Sequence, residues 1–140
     1  APQLAGMKII LNMAELNIFY QGTGLVATQR YLAKNRDIAR RMVKSYVEAI
    51  HIVRTNPAAT KLAFVKYRKT KDAKPLEDAY QTLRETVKQK PYPNLEAFKT
   101  IFKDVSDRIP TAKTANPKEF VDISFLEELD KSGYIDGLYR

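Results

Sequence analysis

The chain has 140 residues, with 24 Lys and Arg against 16 Asp and Glu, a formal net charge of +8, and 44% hydrophobic residues. That length fits one ordinary domain with a sizeable core, and the composition is that of a soluble globular protein. The lack of Cys excludes disulfides and thiolate chemistry, the lone His51 argues against a His-built metal site, and no apolar run is long enough to span a bilayer.

The chain opens Ala1-Pro2-Gln3 without the basic n-region of a secretory leader, which reads as a mature or truncated product. Met7-Lys8-Ile9-Ile10-Leu11-Asn12 is a short apolar run that favours a strand, and residues 13–19 lead the chain on irregularly. Gly22 and Gly24 flank Thr23 in the one cluster of glycines, followed by Leu25-Val26-Ala27, which reads as a second, buried strand.

From Thr28 onward the pattern is helical. A short helix over about 28–34 ends at Asn35, which can cap the next. Ile38, Met42, Val43, Tyr46, Val47, Ile50 and Val53 then keep a helical period, with Asp37 at the positive end of the dipole. Arg36, Arg40, Arg41, Lys44 and Glu48 take the other faces as a solvated basic surface, and His51 reads as a partly buried packing residue. Asn56-Pro57 ends this helix and starts another with Leu62, Phe64, Val65 and Tyr67.

After the basic break 68–71, Asp72 or Lys74-Pro75 opens a helix carrying Leu76, Ala79, Tyr80, Leu83 and Val87. Pro91-Tyr92-Pro93 is a stiff connector, and Asn94 caps a helix with Leu95, Phe98, Ile101, Phe102 and Val105. Residues 109–115 read as a polar surface loop. Asn116-Pro117-Lys118-Glu119 and Ser124-Phe125-Leu126-Glu127 both have the spacing of capping boxes, with a stop at Gly133. The apolar tail Tyr134-Ile135-Asp136-Gly137-Leu138-Tyr139 is expected to dock on the core.

Catalytic chemistry is missing from this inventory. There is no nucleophile elbow, phosphate-binding loop or metal-spaced cluster, and Gly22-Thr23-Gly24 lacks the third glycine of a dinucleotide fingerprint. Glu127, Glu128 and Asp130 read as solvent-facing charge. The reading is a non-enzyme with no cofactor and no metal. The dispersal of the basic residues argues against a nucleic-acid surface. Tyr20 and Tyr31 flank the glycines, where an aromatic ring can stack on a ligand.

The run Leu16-Asn17-Ile18-Phe19-Tyr20-Gln21-Gly22-Thr23-Gly24-Leu25-Val26-Ala27-Thr28-Gln29-Arg30-Tyr31-Leu32 resembles substrate-binding proteins of the nitrate/sulfonate/taurine (NitT/TauT, NMT1/THI5-like) ABC-import family. So do Asn35-Arg36-Asp37 with Tyr46-Val47-Glu48-Ala49-Ile50-His51, Pro91-Tyr92-Pro93, and the stretch from Phe120 to Asp136. The likeness spans essentially the whole chain and corresponds to the C-terminal half of a family member.

It implies a helix-rich α/β fold, a partial periplasmic-binding-protein type II fold with about two short strands and five or six helices. Residues 1–24 would be a crossover or hinge segment, and 25–140 a helical lobe portion within a single domain. The implied function is periplasmic capture of a small anionic or heteroaromatic solute by lobe closure, for delivery to a membrane permease. The implied partners are that permease, the missing N-terminal half, and a second copy of the chain. Tyr20, Gln21, Gly22, Thr23 and Gly24 would lie near the ligand or hinge, with Arg30 pairing charge. The rival from another class is a stand-alone basic helical domain that binds an acidic partner or nucleic acid.

Overall fold

Residues Arg36–Thr55 form the axis of the molecule, a 20-residue helix (α2) in a computed structural model that describes residues 10, 16, 19–69 and 72–140. Before it stands α1 (Gln29–Lys34). After it come α3 (Pro57–Arg68), α4 (Ala73–Thr86), α5 (Leu95–Val105), α6 (Ser124–Lys131) and α7 (Tyr134–Gly137), with 3-10 turns at Pro110–Thr114 and Pro117–Phe120.

The helix boundaries follow local chemistry. Thr28 Oγ1 accepts the Tyr31 N–H at 3.1 Å and starts α1, and Asn56 Oδ1 accepts the Ala59 N–H at 3.0 Å behind Pro57. Asn94 Oδ1 takes the Glu96 N–H at 3.0 Å at the head of α5. Each cap satisfies a donor that the first helical turn leaves free. Gly133, at φ +74°, turns the chain from α6 into α7 in the left-handed region that glycine adopts without a Cβ penalty.

One face of α2 carries the core. Val47, Leu126, Leu129 and Ile135 form its buried cluster, with Val43, Tyr134, Leu138 and Tyr139 packed around it. Val47 and Ile135 are both 0% exposed. The tail therefore docks as its apolar content requires, and His51 stands edge-on to Tyr139 with ring centroids 4.8 Å apart. On the neighbouring side α2 meets α3 and α4, where Ile50 and Tyr80 are buried. The buried Thr60 hydroxyl donates to the Asn56 carbonyl at 3.0 Å, so its polarity is satisfied. Further along the chain, α5 packs on the two 3-10 turns.

Three expectations are overturned. The described residues contain no strand, so the α/β, partial binding-protein type II fold gives way to an all-helical one. Residues 24–27 run unpaired before α1, with Val26 95% exposed. A strand is stable only beside another that takes its N–H and C=O groups, and no neighbour is present there among the described residues. The other expected strand, 7–12, lies outside the described residues except for Ile10.

The capping box at Ser124 is also replaced. Ser124 is inside α6, and Asp122 Oδ1 accepts both its N–H at 3.0 Å and its hydroxyl at 2.6 Å. Glu127, Glu128 and Asp130 are surface charge, as read, and each has a partner within the chain. They pair with Lys131 at 2.7 Å, Arg40 at 3.0 Å and Lys90 at 2.7 Å. The segment expected as a polar loop, 109–115, coils into a 3-10 turn opened by Pro110, with Ala112 buried.

Candidate functional site

Tyr20, Gly22, Thr23, Gly24 and Arg30 are exposed, and Gln21 is half-buried. The Gln21 amide nitrogen donates to the Thr23 carbonyl at 2.6 Å, which folds the segment locally. Neither Gly22 nor Gly24 has a positive φ, and a Cβ added at either would meet no atom within 4 Å. Their backbone freedom is therefore not what this conformation requires. Among the described residues, the N–H groups of Gly22, Thr23 and Gly24 donate to no protein acceptor. Thr23 and the rings of Tyr20 and Tyr31 are exposed in the same stretch of chain, and Arg30 follows in α1 without a carboxylate partner among the described residues. Free N–H donors can take an anionic or carbonyl group from a ligand.

An open face also lies on α2. On α2, Ile38, Met42, Ser45, Ala49 and Ile52 recur at helical spacing and are exposed, Met42 by 58%. A shallow depression lined by Ile38, Arg41, Met42 and Ser45 lies on this face. Three of the four arginines of α2 are committed to ion pairs, Arg36 to Asp122 at 3.6 Å, Arg40 to Glu128 at 3.0 Å, and Arg41 to Asp37 at 3.0 Å, while Arg54 donates to the Val87 carbonyl.

The opposite side of the molecule is tied by charge. The Arg36 guanidinium also stacks 4.5 Å from the Phe125 ring centroid, and Lys44 lies 4.7 Å from that of Tyr134. The Tyr134 hydroxyl donates to Glu48, and this bond, with burial, raises its pKa. Lys90 bridges Asp130 at 2.7 Å and Asp136 at 3.0 Å, while the Tyr92 hydroxyl donates to Asp130 at 2.9 Å. The hydrogen bonds from Lys90 and Tyr92 hold the Asp130 carboxyl below the usual carboxylate range. Donating to Asp130 and Asp136 in turn raises the pKa of Lys90.

Sequence reasoning missed a cleft of about 400 Å³ lined by Tyr92, Pro93, Leu95, Lys118, Val121 and Ile123. The stiffness of 91–93 was visible as a connector. Its approach to residues 118–123 is a long-range contact that no local spacing encodes. The described residues include no cluster of metal-ligating side chains, and no helix among them is long and apolar enough to cross a membrane. No family model, curated protein or solved structure matches the chain.

Proposed function

We propose that this chain is a solute-binding component of an ABC-type import system, supplying one wall of a site for a small anionic or heteroaromatic molecule passed on to a membrane permease. The observation that carries the reading is the pairing of two exposed features, the uncovered Ile38, Met42 and Ile52 of α2 and the donor segment 20–24. Exposed apolar stripes of this extent mark surfaces that meet another partner. A wall awaiting its opposite half combines such a stripe with free donors. Tyr20 and Tyr31 offer flat apolar surface, Gly22, Thr23 and Gly24 offer backbone N–H groups, and Arg30 offers a positive charge.

The test is calorimetry on the intact protein from its native cell, titrated with small sulfonates, carboxylates and heteroaromatic compounds. Thr23→Ala should weaken the binding of a ligand found there by about threefold to tenfold, the worth of one hydrogen bond. Unchanged affinity removes Thr23 from the site. Saturable binding by none of these compounds removes the import reading. The basic interaction domain is less favoured, because Arg36, Arg40 and Arg41 spend their charge on carboxylates of this chain. Binding that collapses steeply with added salt would restore it.

A further inference from the structure

We infer that the cleft between the 91–95 connector and the 117–123 segment binds a small organic anion with an apolar body, such as an aryl or alkyl carboxylate. This inference is independent of the import reading. Its walls are Pro93, Leu95, Val121 and Ile123, with the Tyr92 ring beside them, and its volume of about 400 Å³ suits a compact organic molecule.

The walls are held by a rigid frame. Two prolines fix the backbone on either side of Tyr92. The Tyr92 hydroxyl is anchored on Asp130 at 2.9 Å, and Asn116 Oδ1 accepts the Lys118 N–H at 3.1 Å to fix the 3-10 turn opposite. A cleft formed before its ligand arrives loses less free energy to ordering on binding.

The charge of the cleft selects an anion. Of the acidic groups near Tyr92, Asp130 is neutralised by Lys90 at 2.7 Å and Glu127 by Lys131 at 2.7 Å. Among the described residues, Lys118 pairs with no carboxylate, so its ammonium is the charge at the cleft that lacks a counter-ion. Leu95 is the first residue of α5, whose positive dipole end faces Glu96 in the same turn, itself paired with Lys99 at 2.8 Å, so Lys118 is the charge that selects the ligand. A carboxylate would meet the Lys118 Nζ while an aryl or alkyl body lies against the apolar walls.

The experiment is an amide NMR titration of the chain with phenylacetate, with uncharged phenylacetamide as comparison. We expect saturable shifts confined to residues 92, 95, 118, 121 and 123, with phenylacetamide about tenfold weaker, since a charge-assisted hydrogen bond is lost. Lys118→Arg should bind within about threefold of the parent, and Lys118→Glu should abolish saturation. Lys118 is exposed, and unchanged thermal melting would confirm that both variants are folded. Shifts that fail to saturate, spread over surface lysines, or match for phenylacetate and phenylacetamide would overturn the proposal. The two ligands on the unsubstituted chain decide this without any variant.

Discussion

The two faces of α2 have similar residues and opposite fates. On one, Val43 and Val47 meet Leu126, Leu129 and Ile135, and arginines from the same helix reach over to Asp122 and Glu128. On the other, Ile38, Met42 and Ile52 face solvent. Apolar period marks a helix and its greasy stripes. It does not say which stripe finds a partner within the chain. The covered face is where the fold's stability concentrates, and the open one is where we place function.

Core truncation should separate the faces most sharply. Ile135→Ala should cost about 2–5 kcal/mol in urea unfolding followed by circular dichroism, because the cavity is fully enclosed. Met42→Ala on the open face should stay within about 0.5 kcal/mol. Equal losses would mean that the two faces are packed alike.

Glycine substitutions draw the same line more finely. Gly133→Ala should lose about 1–2 kcal/mol, since φ +74° crowds a Cβ against the backbone. Gly24→Ala should leave stability unchanged to within about 0.5 kcal/mol, given its open surroundings and ordinary φ. Tyr134→Phe, which removes the bond to the half-buried Glu48, should cost about 1 kcal/mol.

The smallest effect is that of pH, carried by exposed groups of the covered side. Asp122 is held low by the Ser124 hydroxyl first, and Asp130 by Lys90 first. Both bind protons more weakly when folded than when unfolded. Their contribution is therefore complete above the ordinary carboxylate value of about 4 and fades as pH falls through their depressed folded values. Lys90, raised by Asp130 and then Asp136, contributes below its ordinary value of about 10.4, and that contribution is lost as pH rises through its raised folded value. Melting temperature should thus fall at both extremes, and Asp130→Asn should flatten the acid limb. A wild-type acid limb as flat as that of Asp130→Asn would show that the pair contributes nothing.

Helix positions were legible wherever a cap and a period coincided. Thr28, Asn56-Pro57 and Asn94 each announced a boundary that the structure keeps, because capping is settled within three residues. Residues 24–27 were misread because four apolar or small residues in a row carry no period of their own. Whether they become a strand depends on a neighbour distant in sequence. At Ser124, a better-placed Asp122 took the role of cap. For the sites, residues 20–24 could be singled out by composition, and their exposure is compatible with that reading. The cleft at Tyr92 and Lys118 could not be, since its walls come from separate segments.

By itself, the sequence determined the capped helix starts at Thr28, Asn56 and Asn94, that Gly133 breaks α6 from α7, and that the chain offers no thiol. These are local matters of backbone freedom, capping and residue type. The tertiary structure alone decided that Asp130 belongs to Lys90, that Arg40 reaches Glu128, that one stripe of α2 is covered while its other stays open, and that Lys118 stands beside a cleft. Those outcomes depend on which distant surfaces meet, and helical periodicity is blind to that choice.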